Sequence, residues 1–277
     1  GSAANTAAGV ASLGARAGFV GLVRDDLLGG VYAHDLRAAG VAFDVPPAPD
    51  GPATGRSLIL VTPDAERTMN TFLGAASLLG EAHIDPVTVG RAAVLYLEGY
   101  LWDSPSGQRA YRKAIAAARR GGRRVALSLS DPFCVERHRE GFRDLIDGGV
   151  DLLFGNELEV GLLLGVTDAE DAVAHLQRPG LVTAVTLGGA GSMVVTGDEV
   201  VAVPAHPVEH VVDTTGAGDL YAAGFLAGLA RGLSWRDCAR LGGLAAAEII
   251  SHLGARPLAS LEKLAVAAGL LPLTPSR

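Results

Sequence analysis

A seven-residue stretch late in the chain carries the residue types of a phosphate site. Asp213-Thr214-Thr215-Gly216-Ala217-Gly218-Asp219 is followed directly by the helical run 220–225. Free backbone N–H groups and the helix dipole attract negative charge to a helix N-terminus, and glycines let a phosphate come close. The N–H groups of Gly216, Ala217 and Gly218 are therefore candidates for stabilising charge on a transferring phosphoryl group.

Asp219 does not fit simple anion binding. A carboxylate beside an anion pocket repels phosphate, but it can orient a hydroxyl nucleophile and take its proton during phosphoryl transfer. The pattern indicates a kinase with Asp219 as the base. The alternative is a capped helix with an acidic first turn.

Two distant motifs carry a family resemblance. The stretch 213–219 resembles the second signature of the ribokinase-like (PfkB) kinases, and Gly1-Ser2-Ala3-Ala4-Asn5-Thr6 is similar to the later part of their first signature, Gly-Gly-Ser-Ala-Ala-Asn. The resemblance spans the whole chain. It implies a ribokinase-like α/β fold with a mostly parallel central sheet, helices on both faces and a small β lid, and ATP as the phosphate donor.

Within that family the sequence is most similar to adenosine kinases and their bacterial relatives. The segment 128–133 resembles the one whose Phe stacks on the nucleoside base, which implies that role for Phe133. Segment 66–69 resembles the hairpin segment whose Arg reaches the transferring phosphate. This likeness implies that Arg67 contacts that phosphate and that Met69 lies beside the substrate. Taken alone, Phe133 is typical of a core and Arg67 of a surface.

The start of the chain supplies the rest of the expected acceptor site. The resemblance implies that Ser2 and Asn5 hold the ribose and that Gly1 also belongs to the substrate-binding site. Together with a base-stacking Phe133, these residues predict transfer to the 5′-hydroxyl of a nucleoside, adenosine above all. The alternatives are a PfkB sugar kinase acting on ribose, fructose or a related sugar, and a non-catalytic PfkB-like protein that binds nucleotide.

The resemblance also implies where ATP and metal ions bind. The turn 186–191 is similar to the nucleotide loop, and 252–255 to the loop near the adenine. The expected contacts in these two loops are Thr186, Gly188, Gly191, His252, Gly254 and Ala255.

Two further motif residues and Asp213 are assigned to cations by the same resemblance. Asn156 and Glu159 match an Asn-x-x-Glu element and would place Mg²⁺, with Glu159 acting through water. Unaided, Asn156 is typical of a turn and Glu159 of a solvated helix. Members of the family often bind a monovalent cation such as K⁺ beside the anion hole, where Asp213 would contribute.

Apolar runs of strand length alternate with helical patterns through the first two thirds of the chain, which favours a mostly parallel sheet covered by helices. The expected strands are 17–22, 92–97, 125–129, 152–154, 182–187 and 193–196. The expected helices are 28–39, 107–120, 134–146, 157–164, 169–177, 220–231, 234–252 and 258–268.

One region departs from this rhythm. Runs 57–62 and 67–72 are rich in β-formers and are joined by the polar turn 63–66, which predicts a hairpin. A hairpin outside a parallel sheet suits a lid over a cleft. We therefore expect a single kinase domain over 1–277, with a lid hairpin at about 53–73.

Composition excludes several classes. The net charge of −7 and the lack of a long Lys/Arg run argue against nucleic acid as a partner. No apolar window approaches about 18 residues, so no membrane span is expected. The cysteines Cys134 and Cys238 match no metal-ligand spacing, which fits a reducing cytoplasm. Small molecules are the expected partners, and monomer and homodimer both stay open.

The start of the chain departs from the family pattern. Members usually begin some tens of residues earlier, with a strand and lid segments that carry an Asp gripping the sugar hydroxyls. We expect the natural protein to extend upstream of Gly1, and the chain from Gly1 alone to be poorly active or to need its absent part to fold.

Overall fold

The structure is a computed structural model that describes residues 1–65 and 67–272. Its helices are α1 Ser2–Ser12, α2 Leu27–Ala38, α3 Pro86–Arg91, α4 Pro105–Arg120, α5 Pro132–Asp147, α6 Glu157–Leu164, α7 Ala169–Leu176, α8 Ala217–Ala230, α9 Trp235–Ile250 and α10 Leu261–Ala267. Its strands are β1 Ala17–Gly18, β2 Val41–Ala42, β3 Arg56–Val61, β4 Arg67–Phe72, β5 Val94–Glu98, β6 Arg124–Ser128, β7 Leu152–Asn156, β8 Val182–Thr186, β9 Ser192–Val195 and β10 Val200–Val203.

The chain divides into two compact units. The first joins residues 1–75 to the chain from Ala205 onward, and the second is 76–204. The expectation of one domain over 1–277 stays a prediction, and its last five residues, like Glu66, lie outside the described part of the chain.

The second unit is built on a mixed six-stranded sheet of order β10-β9-β8-β7-β6-β5. β5 to β8 run parallel, whereas β9 and β10 pair antiparallel. The middle strands are almost fully buried because their apolar side chains occupy both faces, with Val125, Ala126 and Leu127 at 0% exposure. Helices α4 and α6 pack on these strands. The predicted mostly parallel sheet is confirmed.

The first unit is mainly helical. α1 packs on α8, and α8 packs on α9. Close approach of α8 to α9 requires glycine, since a Cβ on Gly224 would lie 2.4 Å from the Leu241 carbonyl oxygen. A second apolar cluster centres on Phe43 and includes Phe19 and Tyr32.

The hairpin is also present in the first unit. β3 and β4 pair antiparallel from Arg56 opposite Phe72 to Val61 opposite Arg67, within the predicted range 53–73. Both strands are largely exposed. In the described residues, no helix is long and apolar enough to cross a membrane.

Several predicted element boundaries were wrong. The strand expected at 17–22 ends at Gly18, because only Ala17 and Gly18 find partners, on β2. The patterns also missed α3, although Asp85 caps it ahead of a proline, and β10, whose valine-rich run is short. The boundary that matters most is α8, which begins at Ala217 rather than Leu220.

Candidate functional site

The first turn of α8 is shaped by one glycine that the fold requires. Gly216 is the N-cap residue and has a φ of +85°, a conformation that favours glycine. A Cβ there would also lie 3.0 Å from the Ala255 Cβ. The loop after α9 therefore lies directly against the turn that begins α8.

The fold gives no such reason for Gly218. This residue is exposed, and a Cβ on it would meet no atom within 4 Å. Within the described residues the N–H groups of Gly218 and Asp219 have no hydrogen-bond partner, whereas the Ala217 N–H donates to the Thr214 carbonyl at 3.2 Å. The open space and two free donors suit an anion, and Ala217 is the least available of the three predicted amides.

Asp219 is the third residue of α8 and is half-buried. Its Oδ2 accepts a hydrogen bond from the Asn5 Nδ2 at 2.9 Å. Burial raises the pKa of the Asp219 carboxyl, while the bond from Asn5 and the positive charges of Arg67 and Arg256 act in the opposite direction. A carboxylate that is destabilised by burial and still reachable beside an open turn has the properties of a proton acceptor.

Arg67 reaches the same turn from the hairpin. This exposed side chain donates from Nη1 to the Thr214 Oγ1 at 2.7 Å. The Thr214 hydroxyl lies 3.5 Å from the Ala65 carbonyl oxygen at the hairpin turn. Two contacts thus join the hairpin to the segment before α8, and they put a guanidinium beside the candidate anion site.

Asp213 is buried at 2% exposure just ahead of this turn. Its Oδ1 accepts from the Thr215 N–H at 2.9 Å and its Oδ2 from the Gly254 N–H at 3.0 Å. Burial by itself would raise the pKa of Asp213, but the hydrogen bonds from Thr215 and Gly254 outweigh it and leave the pKa lowered. The carboxylate is therefore ionised, and it ties the loop after α9 to the turn before α8.

A cavity of about 760 Å³ opens between these segments and β3. Its lining includes Asp213, Thr215, Gly254, Ala255, Ile59 and Val61. Two of the three predicted adenine-loop residues, Gly254 and Ala255, thus border a cavity large enough for a nucleotide.

His252, the third predicted adenine-loop residue, lies just after α9, and its side chain contacts Glu248 of that helix. Its Nε2 lies 3.3 Å from the Glu248 Oε1, which also accepts from the Leu258 and Ala259 N–H groups at 2.8 Å. Glu248 therefore anchors both ends of this loop, and His252 contributes to that bracing.

The predicted acceptor residues of the first unit occupy two places. Gly1 is the N-cap of α1, and Ser2 and Asn5 are half-buried in its first turns. Met69 lies on β4 opposite Ile59 and is 49% exposed. Of these residues, Asn5 donates a hydrogen bond to the candidate base.

The predicted residues of the second unit all follow the carboxyl ends of parallel strands. Phe133 comes after β6, Asn156 ends β7, and Thr186 ends β8. Ligands of open α/β sheets bind at this edge. Phe133 is 70% exposed in the first turn of α5, so the alternative that it belongs to the core is wrong.

Asn156 and Glu159 bind each other. The Asn156 side chain caps α6 by accepting from the Glu159 N–H, while Glu159 accepts from the Asn156 N–H at 3.0 Å and from its Nδ2 at 2.8 Å. Glu159 is 6% exposed, so the solvated alternative is wrong, and burial raises the pKa of its carboxyl. Both oxygens are engaged, which does not fit a direct Mg²⁺ ligand.

The described residues also offer no alternative group of metal ligands. Among residues 1–65 and 67–272, no group of three or more His, Cys, Asp and Glu side chains could hold an ion. Mg²⁺ usually keeps several waters and binds phosphate oxygens. This geometry is compatible with a contact between Glu159 and Mg²⁺ that is mediated by a water molecule.

The predicted nucleotide loop is the turn of a β-hairpin. Thr186 pairs with Ser192, and the Leu187 N–H donates to the Gly191 carbonyl at 2.8 Å. Gly188 and Gly191 have φ values of +56° and +103°, and a Cβ on Gly188 would meet open space. The exposed glycine backbone at the end of β8 would let a ligand approach closely.

Arg256 is a charged residue of this region that sequence reasoning missed. It lies one residue beyond Ala255 and is half-buried, which lowers the pKa of its guanidinium. Asp219, Asp35 and Tyr32 act on it electrostatically. No motif marks this position, although an arginine directly after the matched loop 252–255 was a usable signal.

The comparisons with known proteins agree with a ribokinase-like α/β fold. The profile of the pfkB family carbohydrate kinases matches residues 1–262, and the chain belongs to this family. Kinases of this family are phosphotransferases that act on hydroxyl groups and use ATP. The chain is therefore a kinase of a sugar or a nucleoside.

Solved structures of both acceptor classes are similar to it. Adenosine kinase from Sinorhizobium meliloti is 49% identical, with a TM-score of 0.94, over 97% of this chain and 82% of that one. A probable sugar kinase from Rhizobium etli CFN 42 is 44% identical, with a TM-score of 0.95, over 98% of this chain and 82% of that one.

A curated relative adds a second nucleoside kinase. Cytidine kinase from Thermococcus kodakarensis is 35% identical over 138 residues, which are 48% of this chain and 49% of that protein. The chain thus matches about half the length of that relative.

Proposed function

We propose that this protein transfers the γ-phosphoryl group of ATP to the 5′-hydroxyl of a nucleoside, adenosine above all, and so forms AMP in purine salvage. The observation that carries the proposal is Asp219, a half-buried carboxylate in the first turn of α8 beside the open glycine Gly218. The Arg67 guanidinium lies at the same turn through Thr214.

The step follows from these positions. The acceptor oxygen forms a bond to the γ-phosphorus while the bond from that phosphorus to the leaving oxygen of ADP breaks. The hydroxyl proton passes to Asp219. The Gly218 and Asp219 N–H groups and Arg67 stabilise the charge on the phosphoryl oxygens, and closure of the hairpin excludes water.

Phe133 favours a nucleoside over a sugar. A Phe side chain that is 70% exposed gains by stacking on a base, and a bare sugar offers no such partner. The 49% identical adenosine kinase and the cytidine kinase support the nucleoside. The 44% identical probable sugar kinase supports the second candidate, a sugar kinase of the same family.

ATP has two candidate contact regions. They are the cavity bordered by Asp213, Gly254 and Ala255, and the turn at Thr186, Gly188 and Gly191. Mg²⁺ would neutralise phosphate oxygens, with Glu159 acting through water. Asp213, an ionised and buried carboxylate on that cavity, fits a cation such as K⁺.

Other expectations stay predictions. They are a cytoplasmic location, a monomer or homodimer, the absence of nucleic acid and membrane partners, and the single domain. A non-catalytic nucleotide-binding protein is disfavoured by Asp219, whose carboxylate is not used to cap its own helix.

A phosphate-acceptor screen of the full-length protein, with Mg-ATP over adenosine, guanosine, inosine, ribose and fructose, tests the proposal. Turnover of adenosine supports it, turnover of sugars alone transfers the assignment to a sugar kinase, and no turnover with any acceptor overturns both. Phe133→Ala is then expected to raise the KM for the nucleoside at least tenfold while the KM for ATP stays within about twofold. Equal effects on both would mean that Phe133 acts through packing.

A further inference from the structure

The packing of α1 on α8 brings one amide to the proposed base. Asn5 lies in α1, and its Nδ2 is 2.9 Å from the Asp219 Oδ2. An ionised carboxylate only accepts hydrogen bonds, so the group that faces it must be the amide donor. The bond joins two residues 214 positions apart.

A close helix contact fixes this geometry. Gly9 lies one helical turn after Asn5 and on the same face of α1. A Cβ on Gly9 would lie 2.6 Å from the Leu220 Cδ1 and 2.7 Å from the Ala223 Cβ. Because Gly9 has no side chain, α1 approaches α8 closely enough for Asn5 to reach Asp219.

Half of the Asn5 side chain stays available. Within the described residues its Oδ1 makes no hydrogen bond, and its second amide hydrogen has no partner either. One amide can therefore donate to Asp219 and at the same time contact an acceptor molecule.

We propose that Asn5 is a positioning residue that keeps the Asp219 carboxylate ionised and turned toward the acceptor hydroxyl. This proposal rests on the proposed function, and it gives Asn5 a role beyond holding the ribose. Other charges that act on Asp219 are Arg67 from the hairpin, Arg256 from the loop after α9, and the amino group of Gly1. These charges also favour the ionised form, and Asn5 adds a direct hydrogen bond to it.

The test is the acid limb of the pH profile of kcat. Asn5→Ala removes the donor, so Asp219 takes up its proton at higher pH. A hydrogen bond to a charged group corresponds to roughly a tenfold effect on such an equilibrium. The variant is expected to lose about tenfold more kcat at the acid end than on the alkaline plateau.

Two variants sharpen the test. Asn5→Asp keeps the shape but puts a second carboxylate against Asp219, so its acid limb is expected to move further in the same direction. Thr6→Val is the matched control, because it deletes a hydroxyl at the next position of α1 whose one hydrogen bond among the described residues is to the Ser2 carbonyl at 3.3 Å. Its acid limb should match that of the wild type.

A loss of kcat that is equal at every pH, or a rise in KM with an unchanged acid limb, would overturn the proposal. The Asp219 titration followed by carboxyl ¹³C NMR, assigned with Asp219→Asn, gives a readout that needs no activity. A higher midpoint in Asn5→Ala supports the proposal even if the acceptor screen fails. An unchanged midpoint overturns it even if adenosine is phosphorylated.

Discussion

Helices α6 and α8 both carry an acidic residue at the third position of the first turn, and of these two only α6 uses it for capping. In α6, Glu159 is the third residue and exchanges hydrogen bonds with its N-cap residue, Asn156. In α8, Asp219 is the third residue, but the N-cap residue is Gly216, which has no side chain. Asp219 bonds instead to Asn5 of another helix.

The two carboxylates differ in which groups offset the energetic cost of their burial. Burial raises the pKa of both carboxyls. Glu159 is compensated within three residues, and both of its oxygens are occupied. Asp219 is compensated by a distant amide and stays beside open space at Gly218. The Asp219 carboxylate is therefore available for the proposed chemistry because α8 does not use it as a cap.

The largest expected effect is on catalysis. Asp219→Asn should lower kcat by about 10² to 10⁴, because general-base assistance is lost. Nucleoside affinity, measured by calorimetry, should change little, since the side chain keeps its shape. Glu157→Gln, on the exposed side of the first turn of α6, is the control. If Asp219→Asn turned over at a near-normal rate, Asp219 would not be the base.

For stability the ranking should be reversed, so that substitution of Glu159 costs more than substitution of Asp219. Glu159→Ala is expected to lower the free energy of unfolding by about 2 kcal/mol, because it removes the capping box and leaves the half-buried Asn156 donors unpaired. Asp219→Asn should change it by less than about 1 kcal/mol, since losing a desolvated charge offsets the weaker hydrogen bond. Urea unfolding of both variants measures the contrast. Equal losses would remove the distinction between the two turns.

Substitutions of the two glycines of the α8 turn should separate effects on stability from effects on catalysis. Gly216→Ala is expected to destabilise the protein by about 1 to 2 kcal/mol through its positive φ and its contact with Ala255. Gly218→Ala should stabilise it by about 0.5 kcal/mol, since alanine favours a helix and meets no neighbour. The same methyl should lower kcat at least tenfold by entering the anion space. Full activity in Gly218→Ala would exclude phosphate from this position.

The smallest effect concerns the pH dependence of stability. The pKa of Glu159 is raised above its ordinary 4.5 in the folded state. The folded protein therefore binds more protons than the unfolded chain between that value and the raised one, and the free energy of unfolding falls as pH rises through this interval. Glu159→Gln should flatten that slope in urea titrations from pH 4 upward. A slope identical to that of the wild type would mean that Glu159 does not titrate there.

Local patterns were enough for most of the fold. The sequence predicts α6 at its observed bounds, Glu157–Leu164, because a capping residue and helical periodicity act within a few residues. Ser234 and Ser260 cap their helices, and the hairpin forms where two β-rich runs flank a polar turn. The patterns failed at β1, where strand extent depends on whether a partner is present.

The candidate site was only partly visible in the sequence. Its residue types identified the turn 213–219 and the segment that holds Arg67. Sequence reasoning assigned Asn156 and Glu159 to a cation, and it could not show that the two side chains bind each other. Arg256 went unnoticed because its relation to Asp219 depends on how the loop after α9 packs.

The sequence by itself determined which residues could do phosphoryl-transfer chemistry and which local elements hold them, because capping, periodicity and turn formation depend on near neighbours. Only the tertiary structure decided that Asn5 meets Asp219 and that Arg67 meets Thr214, across 214 and 147 positions of the chain. Those pairings depend on helix and hairpin packing, such as the close contact of Gly9 with Leu220, which no local pattern encodes.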